Sequence, residues 1–266
     1  MKPNGIVALL TDFGVADPFV GVMKGVILSA APGASVVDIA HGVAPQNVEA
    51  GSLFLAYSAP YFPVGTTIAA VVDPGVGTSR RAVAVETDRG WRVAPDNGLL
   101  TRLLRSERRR AAVELTNAAM LLPNVSETFH GRDIFAPASA RLAAGVPLEQ
   151  MGEPVDDLVE LPIDPPKRRG RVVHARVLFA DRFGNLTTNL SMEEAPGGVE
   201  QASLGEMNFG APRFSYGYAE QGAPVCVWNS FGLLELALNG GNLAAHIGWS
   251  GGERRTATAV LASASP

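Results

Sequence analysis

Thr67-Ile68-Ala69-Ala70-Val71-Val72-Asp73-Pro74-Gly75-Val76-Gly77-Thr78-Ser79-Arg80-Arg81 reads as an uncharged strand, an acid at its end, a glycine-rich turn and two cations. Its apolar residues are consecutive rather than alternate. That pattern marks a strand buried on both faces, as in a largely parallel sheet covered by helices. Pro74 and Gly75 stop the strand, so Asp73 falls at its carboxyl end, where ligands bind in open α/β sheets.

Similar runs at 6–11, 34–40, 82–87, 91–94 and 111–116 predict further strands of the same sheet. Helices are expected between them. Asp17-Pro18 offers a cap followed by proline at the first helical position, and the apolar stripe Phe19, Met23, Val26 and Ile27 continues to a stop at Pro32-Gly33. A second helix is expected over 46–58 with Val48, Leu53 and Tyr57 inward, a third after Asp96-Asn97-Gly98, and a fourth over 134–144.

The run Ile163-Asp164-Pro165-Pro166-Lys167-Arg168-Arg169-Gly170-Arg171 suits neither a helix nor a core strand. It is read as a solvated linker, with a phosphate-binding patch as the alternative. Beyond it, Val173, Ala175, Val177 and Phe179 alternate with more polar neighbours, and strands are expected at 185–190, 224–229, 232–238 and 256–262. The fold class is therefore α/β: an N-terminal α/β domain (1–163) with a largely parallel central sheet. A smaller C-terminal antiparallel β-barrel domain (172–266) follows the linker at 164–171.

The chain has 266 residues, 47% of them hydrophobic and 18% charged, ample for globular cores. A net charge of −4 argues against nucleic-acid or membrane partners, which favour a basic face. The single Cys226 cannot form a disulfide within the chain, and its apolar neighbours suit a buried, inert thiol. The sequence starts directly with strand-like residues, shows no signal-peptide pattern and has no run of membrane-spanning length, so a cytoplasmic protein is expected.

Several polar groups interrupt this apolar frame. Asp12, at the end of the first strand, either binds the hydroxyls of a ribose or similar polyol, or caps its own turn. Asp73 and Arg80 form either a site or a structural turn. Gly75-Val76-Gly77-Thr78 lacks the Gly-Lys-Ser/Thr ending of a phosphate loop. His130 lies in Phe129-His130-Gly131-Arg132-Asp133, where Arg132 and Asp133 are available partners whether it is structural or catalytic. The four histidines (His41, His130, His174, His246) show no paired ligand spacing, so no metal or other cofactor is expected. Asp181-Arg182-Phe183-Gly184-Asn185 reads as a hairpin turn, or as a place where Asn185 faces a base edge. Tyr218 is either core or a stacking ring, and Asn229-Ser230-Phe231-Gly232 is a polar turn between strands.

Taken in order, Thr11–Gly14 (TDFG), Val72–Thr78 (VDPGVGT), Ala94–Leu100 (APDNGLL), Phe129–Pro137 (FHGRDIFAP), Asp181–Asn185 (DRFGN) and Asn229–Gly232 (NSFG) resemble the S-adenosyl-L-methionine hydroxide adenosyltransferase family, relatives of the fluorinase and chlorinase. The resemblance spans nearly the whole chain. It implies hydrolysis of S-adenosylmethionine (SAM) to adenosine and L-methionine, an α/β domain followed by a β-barrel, and a homotrimer with sites between neighbouring subunits. It places the family's catalytic triad on Asp73, Arg80 and His130 and its ribose-binding acid on Asp12. Adenine contacts fall on Asn185 and Tyr218, and methionine contacts on Asp181 and Ser230.

The departures concern the nucleophile. The halogenase branch carries a tyrosine at the position of Asp73, a halide-binding serine at that of Gly131, an aromatic near Gln46 and an arginine near Phe231, and this chain has none of them. Water is therefore expected in place of halide, activated by the triad, with either Asp73 or His130 as base. A halogenase and a non-catalytic SAM- or adenosine-binding protein are the alternatives.

Overall fold

A computed structural model describes residues 1–249 and 254–262. The chain divides into two compact units, Met1–Pro162 and Ile163–Pro266. In the first, β1 (Ile6–Thr11), α1 (Phe19–Ala30), β2 (Ser35–Ala40), α2 (Val48–Ser58), β3 (Thr66–Val71), β4 (Ala82–Thr87), β5 (Gly90–Pro95), α3 (Thr101–Ser106), β6 (Arg109–Glu114), α4 (Ala136–Ala143) and β7 (Glu153–Pro154) follow one another. The sheet order is β2-β1-β3-β5-β4-β6-β7. Strands β2, β1, β3 and β5 are parallel. β4 pairs antiparallel with β5 and β6, and β6 with β7. The connection from β4 to β5 is too short for a crossover, so those two strands form a hairpin and the sheet is mixed.

The consecutive apolar residues of β1 and β3 are buried on both faces, as expected. Val7, Leu9, Ala69 and Val71 join Met23, Ile27, Phe135 and Leu142 in one core. Ala8, Leu10, Ile68, Ala70 and Val72 are equally buried. On the α2 side, Gly51 leaves space that the side chains of Val72 and Leu99 occupy. Each buried Val, Leu, Ile, Met or Phe side chain contributes about 1.5–3 kcal/mol.

Four local expectations change. β2 is an edge strand, largely exposed or half-buried rather than covered on both faces. Pro18 is the N-cap residue of α1, and the Asp17 side chain makes no capping bond. In α2 the buried residues are Ala50, Gly51, Ser52, Leu53 and Leu55, while Val48 and Tyr57 are only half-buried. The fourth helix begins earlier, with a π-helical turn over Gly131–Phe135 that runs into α4.

The second unit contains β8 (Lys167–Arg169), β9 (Val172–Ala180), β10 (Leu186–Ser191), β11 (Val199–Leu204), β12 (Met207–Gly210), β13 (Pro224–Trp228), β14 (Leu233–Leu238), the short α5 (Leu243–His246) and β15 (Thr256–Leu261). Its antiparallel order is β12-β11-β15-β9-β10-β14-β13, with β8 added beside β9. The two ends of that order approach each other: Arg213 N donates to Cys226 O at 2.8 Å, and Cys226 Sγ lies 3.4 Å from Gly210 O. The result is a nearly closed barrel around Val173, Ala175, Val177, Leu234 and Leu236. The basic run read as a linker supplies the exposed strand β8. Strands β11 and β12 were not anticipated. Burial raises the Cys226 thiol to about 12, so it is inert. Among the described residues, no helix is long and apolar enough to cross a membrane.

Candidate active site

Asp73 lies two residues beyond β3, at the carboxyl end of the sheet. Asn97 donates to Val72 O at 2.9 Å and pins this strand end. The turn that follows folds back through Val76 N to Asp73 O and Thr78 Oγ1 to Gly75 O. Gly77 has φ +75°, and a Cβ there would stand 2.4 Å from Glu127 O. Only glycine therefore allows the Arg80 loop to press against the segment that carries His130.

The three side chains form one hydrogen-bonded cluster. Arg80 Nε donates to Asp73 Oδ1 at 2.9 Å and to Oδ2 at 3.0 Å, and Nη2 donates to Oδ2 as well. Nη2 also contacts His130 Nδ1 at 2.8 Å. A guanidinium has donors only, so Nδ1 must be the acceptor and a neutral His130 carries its proton on Nε2. Burial, then the Arg80 charge, holds the His130 imidazole below the usual histidine range, which keeps it neutral at pH 7. The side chains of Asp73 and Arg80 are only 5% and 10% exposed, and the guanidinium stands over the Phe135 ring.

Arg132 and Asp133 do not partner His130. Asp133, fully buried, accepts from Arg132 Nε and Nη2 at 2.5 and 2.9 Å and from Ser126 N at 2.9 Å. Burial would raise its carboxyl, but these bonds win and hold it below the usual range. The pair orders the loop before His130.

Asp12 is half-buried and accepts from Gln46 N at 2.8 Å. Burial raises its carboxyl above the ordinary range despite that bond, and the Asp73 charge adds to the rise. Phe13, Phe19 and Phe129 meet edge to face with centroids 5.3–6.0 Å apart, forming an apolar wall. Gly131 lies against this wall. A Cβ there would come within 3.0 Å of Phe13, 3.2 Å of Met23 Sδ and 3.2 Å of Phe129.

In the barrel unit, Asp181 organises the turn. Its Oδ1 accepts from Phe183 N and Asn185 N, both at 2.9 Å, and its Oδ2 from Asn185 Nδ2 at 3.0 Å. Asn185 is buried, and its amide nitrogen is committed to Asp181. Tyr218 is 67% exposed, so it is not core, and its ring lies 6.0 Å from that of the exposed Phe214. Ser230 is exposed in the turn held by Asn229. The sequence reading missed the buried Glu235. Its carboxylate accepts from Tyr216 Oη at 2.5 Å, Asn229 Nδ2 at 3.0 Å and Thr187 Oγ1 at 3.2 Å, anchoring the segment before Tyr218. Glu235 lies between Leu234 and Leu236 in β14, so strand alternation turns it to the face opposite the barrel core, the face on which Ala237 packs with Val225 and Val227.

A concavity of about 400 Å³ in the first unit is lined by Asp96, Thr101, Leu104, Arg105, Arg109 and Asp157. None of the residues proposed from the sequence lines it. Among the described residues, no cluster of three His, Cys, Asp or Glu side chains is placed to hold a metal ion.

Comparison with known proteins identifies the family. The family model described as the SAM hydroxide adenosyltransferase N-terminal domain matches residues 7–152, and that of the C-terminal domain matches 175–256. A Thermus thermophilus protein named (R)-S-adenosyl-L-methionine hydrolase is 42% identical over 93% of this chain and 96% of its own. A protein from Actinoplanes sp. named fluorinase is 32% identical over 91% of this chain and 93% of its own. A crystal structure of an uncharacterized conserved protein from Thermotoga maritima superposes with a TM-score of 0.85 at 34% identity, covering 96% of this chain and 99% of that one. With both family models matched in order, and with relatives spanning both units, the chain belongs to the SAM hydroxide adenosyltransferase family.

Proposed function

We propose that the protein is a SAM hydrolase: water attacks the ribose 5′-carbon of SAM and yields adenosine and L-methionine. The relative at 42% identity carries the hydrolase name, and the one named fluorinase is more distant at 32%. The observation that carries the mechanism is the single guanidinium shared by Asp73 and His130 at the strand end.

The sulfonium leaves as a neutral thioether, so no general acid is required. The task is to make water nucleophilic. With Nδ1 of His130 occupied by Arg80, the free Nε2–H of the neutral ring donates to the water oxygen and orients it. Asp73 still has acceptor capacity beyond its bonds to Arg80, so we assign it the proton. Arg80 stabilises the hydroxide character that develops on the oxygen. The C–O bond forms as the C–S bond breaks, and the S⁺–C electron pair goes to sulfur. The apolar wall of Phe13, Phe19 and Phe129 keeps this zone of low polarity, which favours a step that cancels charge.

Asp12 is assigned the ribose hydroxyls, Asn185 and Tyr218 the adenine, and Asp181 and Ser230 the methionine end. No cofactor takes part in this scheme, because the leaving group is built into the substrate. A cytoplasmic homotrimer whose sites form between neighbouring subunits belongs to the same proposal.

The halogenase reading is disfavoured by the space at Gly131. A Cβ there would stand 3.0–3.2 Å from Phe13, Met23 and Phe129, so those side chains would have to shift to admit a halide-binding hydroxyl, and glycine itself supplies none. Incubating the protein with SAM plus chloride or fluoride tests both readings at once. Adenosine and methionine as the products support hydrolysis; 5′-halo-adenosine would establish the halogenase, and neither product would leave a binding protein.

A further inference from the structure

The turn Thr11–Gly14 that presents Asp12 is held at three points by the segment after β2. Gln46 N donates to Asp12 Oδ2 at 2.8 Å. The main chain of His41 accepts from Gly14 N at 2.7 Å. The His41 side chain reaches the hydroxyl of Thr11, with Nδ1 and Oγ1 2.9 Å apart. Both members of that last contact are buried: Thr11 is 0% exposed and His41 is 6% exposed.

The direction of the contact follows from its neighbours. Asp38 Oδ1, which can only accept, faces His41 Nε2 at 3.0 Å without the alignment of a hydrogen bond, and this places the proton of a neutral ring on Nε2. Nδ1 then accepts from the Thr11 hydroxyl, whose oxygen also accepts from Phe13 N at 3.2 Å. Lys24 holds the other Asp38 oxygen at 2.7 Å. The clamp from Gln46 is costly to the backbone. Gln46 has φ +63°, and among the described residues it is the one non-glycine residue with a positive φ. A strained residue whose amide lands on the acid of the turn suggests a held geometry rather than an incidental loop.

We propose that His41, through Thr11, is a positioning residue that fixes the Asp12 carboxylate for the ribose hydroxyls of the substrate. The inference rests on the assignment of Asp12 to the ribose. His41 touches no reacting atom. It removes rotational freedom from the turn before substrate arrives, so its loss weakens ribose binding equally in the ground and transition states.

The test measures kcat and KM for SAM in the full-length protein with Thr11→Val, Thr11→Ser, His41→Ala and, as reference, Asp12→Ala. Thr11→Val keeps the volume and deletes both hydroxyl bonds. We expect Thr11→Val and His41→Ala to raise KM on the order of tenfold, the effect of weakening one bond between the Asp12 carboxylate and a ribose hydroxyl, with kcat within about threefold. Thr11→Ser should restore the wild-type KM, and the Thr11→Val/His41→Ala double variant should be no worse than either single one. A purely structural role predicts lower melting temperatures in Thr11→Val and His41→Ala with an unchanged KM. That result, seen beside a raised KM in Asp12→Ala, overturns the positioning role and leaves the ribose assignment intact. An unchanged KM in Asp12→Ala removes the ribose assignment and the inference with it. If His41→Ala does not fold, Thr11→Val against Thr11→Ser decides alone.

Discussion

Replacing Asp73 with Asn removes one charge at nearly constant volume. In the wild type its carboxylate takes Arg80 Nε on both oxygens and Nη2 on Oδ2. An amide nitrogen at the Oδ2 position would face the Nη2 donor. Placed at Oδ1, it would leave Nε a single, uncharged acceptor. Either way one or two charge-assisted bonds are lost, each contributing about 1.5–3 kcal/mol. Arg80, 10% exposed, is left without its counter-charge. About 3 kcal/mol lost at the transition state is roughly a 10²-fold rate loss, and loss of proton transfer extends the range to about 10²–10⁴. Adenosine release followed by chromatography under saturating SAM should show that fall in kcat. The pH dependence adds a second readout. The charge of Asp73 partly offsets the downward pull on His130. In Asp73→Asn the His130 limb therefore moves to still lower pH. A kcat within threefold of wild type, in a variant that folds, would remove Asp73 from the chemistry.

Three further outcomes follow from the geometry. In the wild type, activity should hold through neutral pH and fall on acidification with a midpoint below the ordinary histidine value of 6.5, because protonated His130 cannot accept from Arg80. The sign for stability agrees: the unfolded chain takes up this proton first, so the His130 contribution to stability shrinks as pH falls from about 6.5 towards the folded value, measurable as melting temperature against pH. Gly131→Ser should lose about 1–3 kcal/mol of stability in denaturant titration through contacts with Phe13, Met23 and Phe129, and should yield no 5′-halo-adenosine; halide turnover would refute the packing argument. Glu107→Gln, in the buried pair with Arg92 at 2.8 Å, should cost about 3–5 kcal/mol while kcat of the folded fraction stays unchanged. A large fall in kcat there would show that the amino ends of β3 and β5, where Arg92 also donates to Thr66 O, couple to the site at the opposite strand end.

The sequence exposed those parts of the fold whose cause is local. Consecutive apolar residues in β1 and β3 have no solvent face to choose, so their burial and the acids at their ends could be read directly. β2 carries equally β-prone residues, but its exposure depends on being last in the sheet, which no local pattern encodes. The π-helical turn at 131–135 has a similar origin: Gly131 must pass under Phe13 and Phe129, a tertiary demand. In the barrel, β11 and β12 are short and interrupted by Gly205 and polar residues, so alternation was too weak to mark them. For the site, residue identity was legible and partnership was not. Asp133 stood three residues from His130 yet pairs with Arg132, whereas Arg80, fifty residues away, is the side chain that His130 meets. His41 looked unremarkable in sequence because its partners, Thr11 and Asp38, belong to two different strands.

The central claim is that water bound by Asp73, Arg80 and His130 attacks the ribose carbon. Turnover of SAM in oxygen-18 water, followed by mass spectrometry of both products, tests it directly. The account predicts one heavy oxygen in the adenosine and none in the methionine. Label confined to methionine, or SAM left intact, would contradict it.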